Sequence, residues 1–250
     1  MVSIVQTFED HVSSVRKLME FDREVLDIAI TNVRELCDKL VRHHKLDNPQ
    51  LTAQRTLQIL EGIREHDSLR PRYQTIFNQA LVLVVSYFAS SVHDLLRRGI
   101  GHALEAQPES PVLREEFRLT LRDLKDVDFA VREVAPDFLI QSKDISFQDM
   151  KSIARAFKTY LEIEIQKDQA VNDIILGQAY RHAIVHAGGV VSDQTVRQVS
   201  GAAPRRVKAK LLSGEVVQFT PEEVELVTES MTGYLKSVST MVGDKFGVQV

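Results

Sequence analysis

The longest apolar segment of the chain, residues 73–102, limits the possible folds more than any other feature of the sequence. Its valines, concentrated between Leu81 and Val85, are typical of a buried strand. A run of about thirty residues without a turn signal is too long for a strand, however, and favours a helix. We expect this helix to break near Gly99 and Gly101 and to form one wall of the core.

The rest of the chain also favours helices over a β-sandwich or a barrel. Tryptophan is absent, and the 11 glycines and 7 prolines are modest for 250 residues. We expect Ala135-Pro136-Asp137 to interrupt one helix, and Ser146 with Asp149 to start another. Apolar periodicity predicts helices at about 4–45, 51–63, 112–125, 127–134, 146–164 and 169–186.

The C-terminal part has a different pattern. Residues 206–212 and 215–219 flank Ser213-Gly214, which predicts a β-hairpin on a tight turn. Thr220, Pro221 and Glu223 then form a strong helix start, because they supply a cap, a first-turn proline and a capping-box acid. This last helix is expected to reach about residue 242.

Charge and cysteine content exclude several classes of protein. The net charge is −4, so any contact with nucleic acid must use a local patch. Cys37 is the only cysteine, which excludes an intrachain disulfide and any multi-cysteine zinc site. The N-terminus lacks the pattern of a secretion signal, and residues 80–89 are fewer than the ~20 of a membrane-spanning helix. We therefore expect a cytoplasmic protein that makes no contact with a membrane.

The candidate catalytic side chains crowd together at the end of the predicted helix 169–186. Arg181, His182 and His186 lie there, just before Gly188-Gly189, a pair suited to the positive φ values that end a helix. Apolar residues on the other faces predict that the helix is buried in a bundle or an interface. Burying one guanidinium and two imidazoles is costly unless they meet partners or a ligand, which indicates a site.

This arrangement, Arg-x4-His at a helix end with aliphatic Ile184-Val185 before His186 and a glycine pair after it, resembles the signature of the HEPN superfamily. The resemblance covers the motif helix and, more loosely, the long helix at about 72–100. Residues 1–65 and 195–250 match no family pattern. The resemblance implies an all-helical domain, and many members are metal-independent ribonucleases of prokaryotic defence and toxin–antitoxin systems.

The resemblance implies a role for each motif residue and for partners. His186 would be the catalytic histidine, Arg181 the phosphate-binding arginine, and His182 an assisting residue. RNA would be cut to 2′,3′-cyclic phosphate and 5′-hydroxyl ends without a cofactor or metal. Dimerisation would pair two motif helices, and a toxin or antiviral effector of this type could have an antitoxin or regulatory partner.

Together these patterns predict an all-α protein, a HEPN-like helical bundle with a small C-terminal β-hairpin plus helix. Residues 1–70 would form an N-terminal helical region packing on the bundle. Residues 71–190 would form the HEPN-like core, and residues 191–250 the hairpin and the last helix.

Other interpretations of the same residues stay open. His186 alone is also typical of a helix C-terminal cap, and Arg181 alone of a structural ion pair. The one-turn spacing of His182 and His186 suits a metal, although the sequence singles out no third ligand. The cluster Arg205, Arg206, Lys208 and Lys210 is a candidate for steering RNA, but the solvated edge of a strand is the favoured interpretation. The alternative function is a non-catalytic HEPN-like domain that binds RNA or nucleotide, or regulates a partner.

Overall fold

In a computed structural model the chain is folded mainly into α-helices. The structure describes residues 3–43, 49–65, 74–106, 109–126, 131–208 and 212–248. The all-α prediction is confirmed for these residues. The helices are α1 (Ile4–His43), α2 (Pro49–Glu65), α3 (Gln74–Ala106), a short 3-10 helix (Pro111–Arg114), α4 (Leu121–Asp126), α5 (Val131–Ser142), α6 (Met150–Leu161), α7 (Gln169–His186), α8 (Asp193–Ser200) and α9 (Pro221–Phe246).

Helix α3, which the sequence predicts as one wall of the core, lies at its centre. It packs against α1, α5, α6, α7 and α9, and its Phe88, Leu95 and Leu96 are fully buried. The predicted break near Gly99 is wrong, because α3 continues to Ala106. Gly99 instead allows a close approach of α6, since a Cβ atom built there would lie 2.5 Å from Leu161 Cδ1.

Within the described residues, α3 is also the one helix that meets the length and hydropathy criteria for crossing a membrane, over Thr75–Glu105. Of its most apolar window, 39% is buried inside the protein. The central helix of a packed bundle meets the same criteria, because it is long and apolar on several faces.

Two local predictions around α5 and α6 are wrong. Helix α5 continues through Pro136, because Leu139 and Ile140 beyond it are buried in the core and their packing outweighs the cost of an internal proline. Helix α6 starts at Met150 rather than at Ser146. Asp149 is its cap and accepts hydrogen bonds from the backbone N–H groups of Lys151 and Ser152.

Helix α9 has the predicted start. Thr220 and Glu223 form a reciprocal capping box, with Pro221 at the first helical position. The helix continues past the predicted end to Phe246, where Gly247 at φ +66° stops it. It packs along α3 and α7, so the C-terminal helix belongs to the same core as the rest of the bundle.

The predicted C-terminal β-hairpin is wrong, since the described residues contain no such strand pair. The turn at Ser213-Gly214 does form, with Gly214 at φ +88°. The residues after it pair with the segment after α7 instead of with residues 206–208. Val191 N donates to Glu215 O over 2.9 Å and Val217 N to Gly189 O over 2.7 Å, around an isolated bridge between Val190 and Val216.

A buried carboxylate explains why residues 206–208 do not pair as a strand. Asp173 of α7 is 0% exposed and accepts from both the backbone N (2.8 Å) and the Nε (2.9 Å) of Arg206. Lys208, two residues later, has a φ of +46°, which is incompatible with an extended strand. The rest of the predicted first strand, residues 209–211, lies outside the described residues.

Candidate functional site

Helix α7 is buried in its first part and partly exposed in its last turns, and the candidate site lies where the exposure begins. Asp168 caps its start by accepting from Val171 N over 2.8 Å. From Val171 to Tyr180 all but one residue is buried, because α3, α6, α8 and α9 surround this part of the helix. From Arg181 onward one face becomes accessible to solvent. The polar motif residues therefore begin where the neighbouring helices stop covering α7.

The three predicted site residues share this accessible face. Arg181 is half-buried, whereas His182 and His186 are exposed. Val185, between them, is 45% exposed. At about 100° per residue these positions cover one continuous side of the helix. The desolvation cost expected for a fully buried motif helix is largely avoided, because both imidazoles are exposed and the guanidinium is only half-buried.

Arg181 is held by Gln148, a residue that no sequence pattern indicates. Its Nη1 donates to Gln148 Oε1 over 2.9 Å. Gln148 lies in the segment that leads into α6, and Gln178 fixes that segment. Buried Gln178 accepts from Met150 N over 3.1 Å and contacts Phe147 O. Arg181 therefore has a defined position with its charge still partly solvated, and no carboxylate of the described residues forms an ion pair with it.

The imidazoles of His182 and His186 form a pair. Their ring centroids are 4.8 Å apart with an angle of 50° between the ring planes. This distance places two imidazoles, the side-chain type most often used for proton transfer, beside one another. Among the described residues no three His, Cys, Asp or Glu side chains come together as a metal-binding group.

A polar cavity of about 560 Å³ lies beside His182. Three elements form it: the segment before α6, the last turns of α7, and α8. Besides His182, its walls consist of Ser146, Gln148, Gln178, Gln194, Arg197 and Gln198. No acidic side chain is among the described residues that line it, so it suits an anionic or a neutral polar ligand.

Helix α8, which supplies part of this cavity, was not predicted. It is only eight residues long, and Ser192 caps it by accepting from Thr195 N over 3.1 Å. Thr195 and Val199 are its buried residues, whereas Gln194, Arg197 and Gln198 form the opposite, exposed face. The polar cap residue and the spacing of Val196 and Val199 were signals for it, but they are weak in so short a segment.

The basic cluster after α8 is engaged inside the protein. Arg205 donates to the carbonyls of Val199 and Ala202, and Arg206 is bound to Asp173. Lys208 lies 2.9 Å from a carboxylate oxygen of Glu223. These three residues are therefore ties between segments and not the solvated strand edge that we expected. Lys210 lies outside the described residues.

Tyr180 supports the motif from the buried side of α7. Its ring packs edge-on against Phe219, with 5.1 Å between the ring centroids. Burial raises the pKa of Tyr180 to about 12. The phenol is therefore neutral at physiological pH, and it acts in packing.

Comparison of the chain with models of protein families, with curated proteins and with solved structures gives no match. The relationship to the HEPN superfamily thus stays a prediction, carried by the Arg-x4-His motif and compatible with the all-α fold.

Proposed function

We propose that this protein is a metal-independent endoribonuclease that cuts RNA to 2′,3′-cyclic phosphate and 5′-hydroxyl ends. The observation that carries the proposal is the geometry of the end of α7. Two paired imidazoles and one oriented guanidinium share an accessible face beside a cavity whose described wall has no acidic side chain. These groups match the proton-transfer and phosphate-binding tasks of the reaction.

The reaction needs a base, an acid and a cation. A base takes the proton of the 2′-hydroxyl, whose oxygen then attacks phosphorus, and the bond to the 5′-oxygen breaks as an acid protonates that oxygen. His186 is the proposed catalytic histidine, and His182, 4.8 Å away between ring centroids, assists the proton transfers. Arg181 binds the phosphate oxygens and stabilises their charge in the transition state.

The proposal includes a homodimer in which two motif helices face each other. The exposed Val185 supports the homodimer. It is an apolar side chain on the same face as the motif residues, and contact with a second copy would bury it. The other parts of the proposal come from the family resemblance: a cytoplasmic toxin or antiviral effector with an antitoxin or regulatory protein as partner.

The second candidate is a non-catalytic domain that binds RNA or nucleotide. The polar cavity beside His182 supports this second candidate, because the cavity can bind RNA or nucleotide even if no cleavage takes place. A metalloenzyme that uses His182 and His186 needs at least one more ligand from a substrate, a partner or solvent, because no third protein ligand of the described residues joins them.

The test is cleavage of a labelled RNA pool in EDTA by wild type, His186→Ala and Arg181→Ala. We expect wild type to cut and both variants to lose at least about a hundredfold in rate, the usual scale for a proton-transfer or charge-stabilising group. Because His186 is exposed, His186→Ala should unfold at the wild-type temperature.

His11→Ala and Arg16→Ala serve as matched controls in α1, where His11 stacks on Tyr87 and Arg16 pairs with Glu225. Both should cut RNA at the wild-type rate. Binding of RNA without turnover, unchanged by EDTA, would contradict the enzyme and favour the binding domain. Activity that EDTA abolishes would contradict the metal-independent mechanism.

A further inference from the structure

Four of the side chains that line the cavity beside His182 are carboxamides. Gln148 and Gln178 contribute from the segment before α6 and from α7, and Gln194 and Gln198 from α8. Gln178 is 4% exposed and is occupied in holding residues 147 and 150. Gln194 and Gln198 are exposed, and within the described part of the chain their side chains have no hydrogen-bond partner. Two amides are therefore available to a ligand.

Carboxamides are suited to one class of ligand in particular. Each presents an acceptor and a donor side by side, which complements the edge of a nucleobase. Glutamine pairs in this way with the N6 and N7 atoms of adenine. Proteins that read RNA bind unpaired bases through such edges. A cavity of about 560 Å³ falls in the size range of small-ligand sites and has room for a nucleotide.

Arg197 adds a positive charge at the same place. It is on the exposed face of α8, about one turn after Gln194 and directly before Gln198. Among the described residues its guanidinium has no hydrogen-bond or ion-pair partner, in contrast to Arg205 and Arg206 nearby. Because this guanidinium has no partner among the described residues and no described acidic side chain shares the wall with it, it suits a phosphate of the same ligand.

The cavity is also connected to the motif. His182 belongs to its wall, and Gln148 belongs to the wall while its Oε1 holds Arg181. A nucleotide in the cavity therefore lies next to the residues proposed to act on a phosphodiester bond. Binding energy gained at a neighbouring subsite can position that bond for reaction.

We infer that this cavity holds the base of an unpaired nucleotide adjoining the cleaved bond, that Gln194 and Gln198 make it prefer adenine, and that Arg197 binds an adjoining phosphate. The placement next to a cleaved bond rests on the proposed ribonuclease function, whereas the base selectivity rests on the cavity itself. The ligand is thus a single-stranded RNA segment, and the cavity gives the enzyme its sequence preference.

Two measurements test the inference on the full-length protein. The first maps the base next to each 5′-hydroxyl end produced from a random single-stranded RNA pool by wild type, by Gln194→Ala/Gln198→Ala and by Arg197→Ala. The second measures, by fluorescence anisotropy, binding of oligoadenylate and oligouridylate to His186→Ala with and without the cavity substitutions. Gln141→Ala/Gln218→Ala is the matched control, because both glutamines are exposed and outside the cavity.

We expect wild type to favour cleavage beside adenine, and the double glutamine variant to lose at least about fivefold of that preference, the lower limit for a bidentate base contact. Arg197→Ala should weaken binding of both oligonucleotides alike, because a phosphate carries no sequence information. The control variant should match wild type in both measurements.

The outcomes separate this inference from the proposed function. Cleavage with the same base distribution in wild type and the double glutamine variant would overturn the inference and leave the ribonuclease intact. Absence of cleavage with a glutamine-dependent preference for oligoadenylate would support the base site and overturn the ribonuclease. Absence of both cleavage and base-selective binding would overturn the two together.

Discussion

At the scale of single residues, the position of Arg181 depends on one hydrogen bond to Gln148. We predict that Gln148→Ala lowers kcat/KM for RNA by about tenfold, or about 1.4 kcal/mol, because a charge-assisted hydrogen bond that orients the guanidinium is lost while the charge remains. The measurement is steady-state cleavage of a short RNA with a mapped cut site. Gln141→Ala, an exposed glutamine outside the site, is the control. A loss as large as that of Arg181→Ala would mean that Gln148 acts on the substrate itself.

The motif residues could be predicted from the sequence, whereas the residues around them could not. Arg181 and His186 are recognisable because both fall within one helical segment that ends at a glycine pair. Gln148 and Gln194 are distant in sequence, and only the packing of α6 and α8 around α7 brings them to the cavity. The burial of Asp173 also could not be foreseen, since its partner Arg206 follows 33 positions later.

At the scale of elements, the start of α9 is set by Thr220. We predict that Thr220→Ala lowers the free energy of unfolding by about 1 kcal/mol, since it removes the acceptor for Glu223 N. Thr240→Ala, at an exposed position toward the other end of the same helix, should change stability by less than about 0.5 kcal/mol. Urea denaturation followed by circular dichroism measures both. Equal losses in the two variants would contradict a specific role of the capping box.

The helices were predictable wherever local signals and packing agree, and wrong predictions arose where they conflict. The capping box of α9 and the periodicity of α1 and α2 gave correct elements. Gly99 and Pro136 resemble helix breakers, but tertiary packing against α6 and the core keeps both helices continuous. The predicted hairpin failed because Arg206 finds a stronger partner in buried Asp173 than in a neighbouring strand.

At the scale of the whole molecule, the Asp173–Arg206 pair ties the segment after α8 to α7, and Arg206 Nη2 extends the tie to Ser230 of α9 over 2.7 Å. We predict that Asp173→Ala lowers the free energy of unfolding by about 2–4 kcal/mol, because the Arg206 N–H and guanidinium lose their buried acceptor. Glu229→Ala is the matched control on the same guanidinium, from which Glu229 is 3.6 Å away and itself exposed, and it should cost less than about 0.5 kcal/mol. Urea denaturation measures both variants. Equal losses in the free energy of unfolding would contradict a specific role of the buried pair.

The most direct measurement of the central claim uses an RNA oligonucleotide with a single mapped cut site, prepared with either a 2′-hydroxyl or a 2′-deoxy sugar at that site. With EDTA present, our account predicts that wild type cuts only the all-ribose strand and leaves a 2′,3′-cyclic phosphate, while His186→Ala cuts neither. Cleavage of the 2′-deoxy strand, or products with a 3′-hydroxyl and a 5′-phosphate, would contradict it, because the 2′-oxygen could not then be the nucleophile.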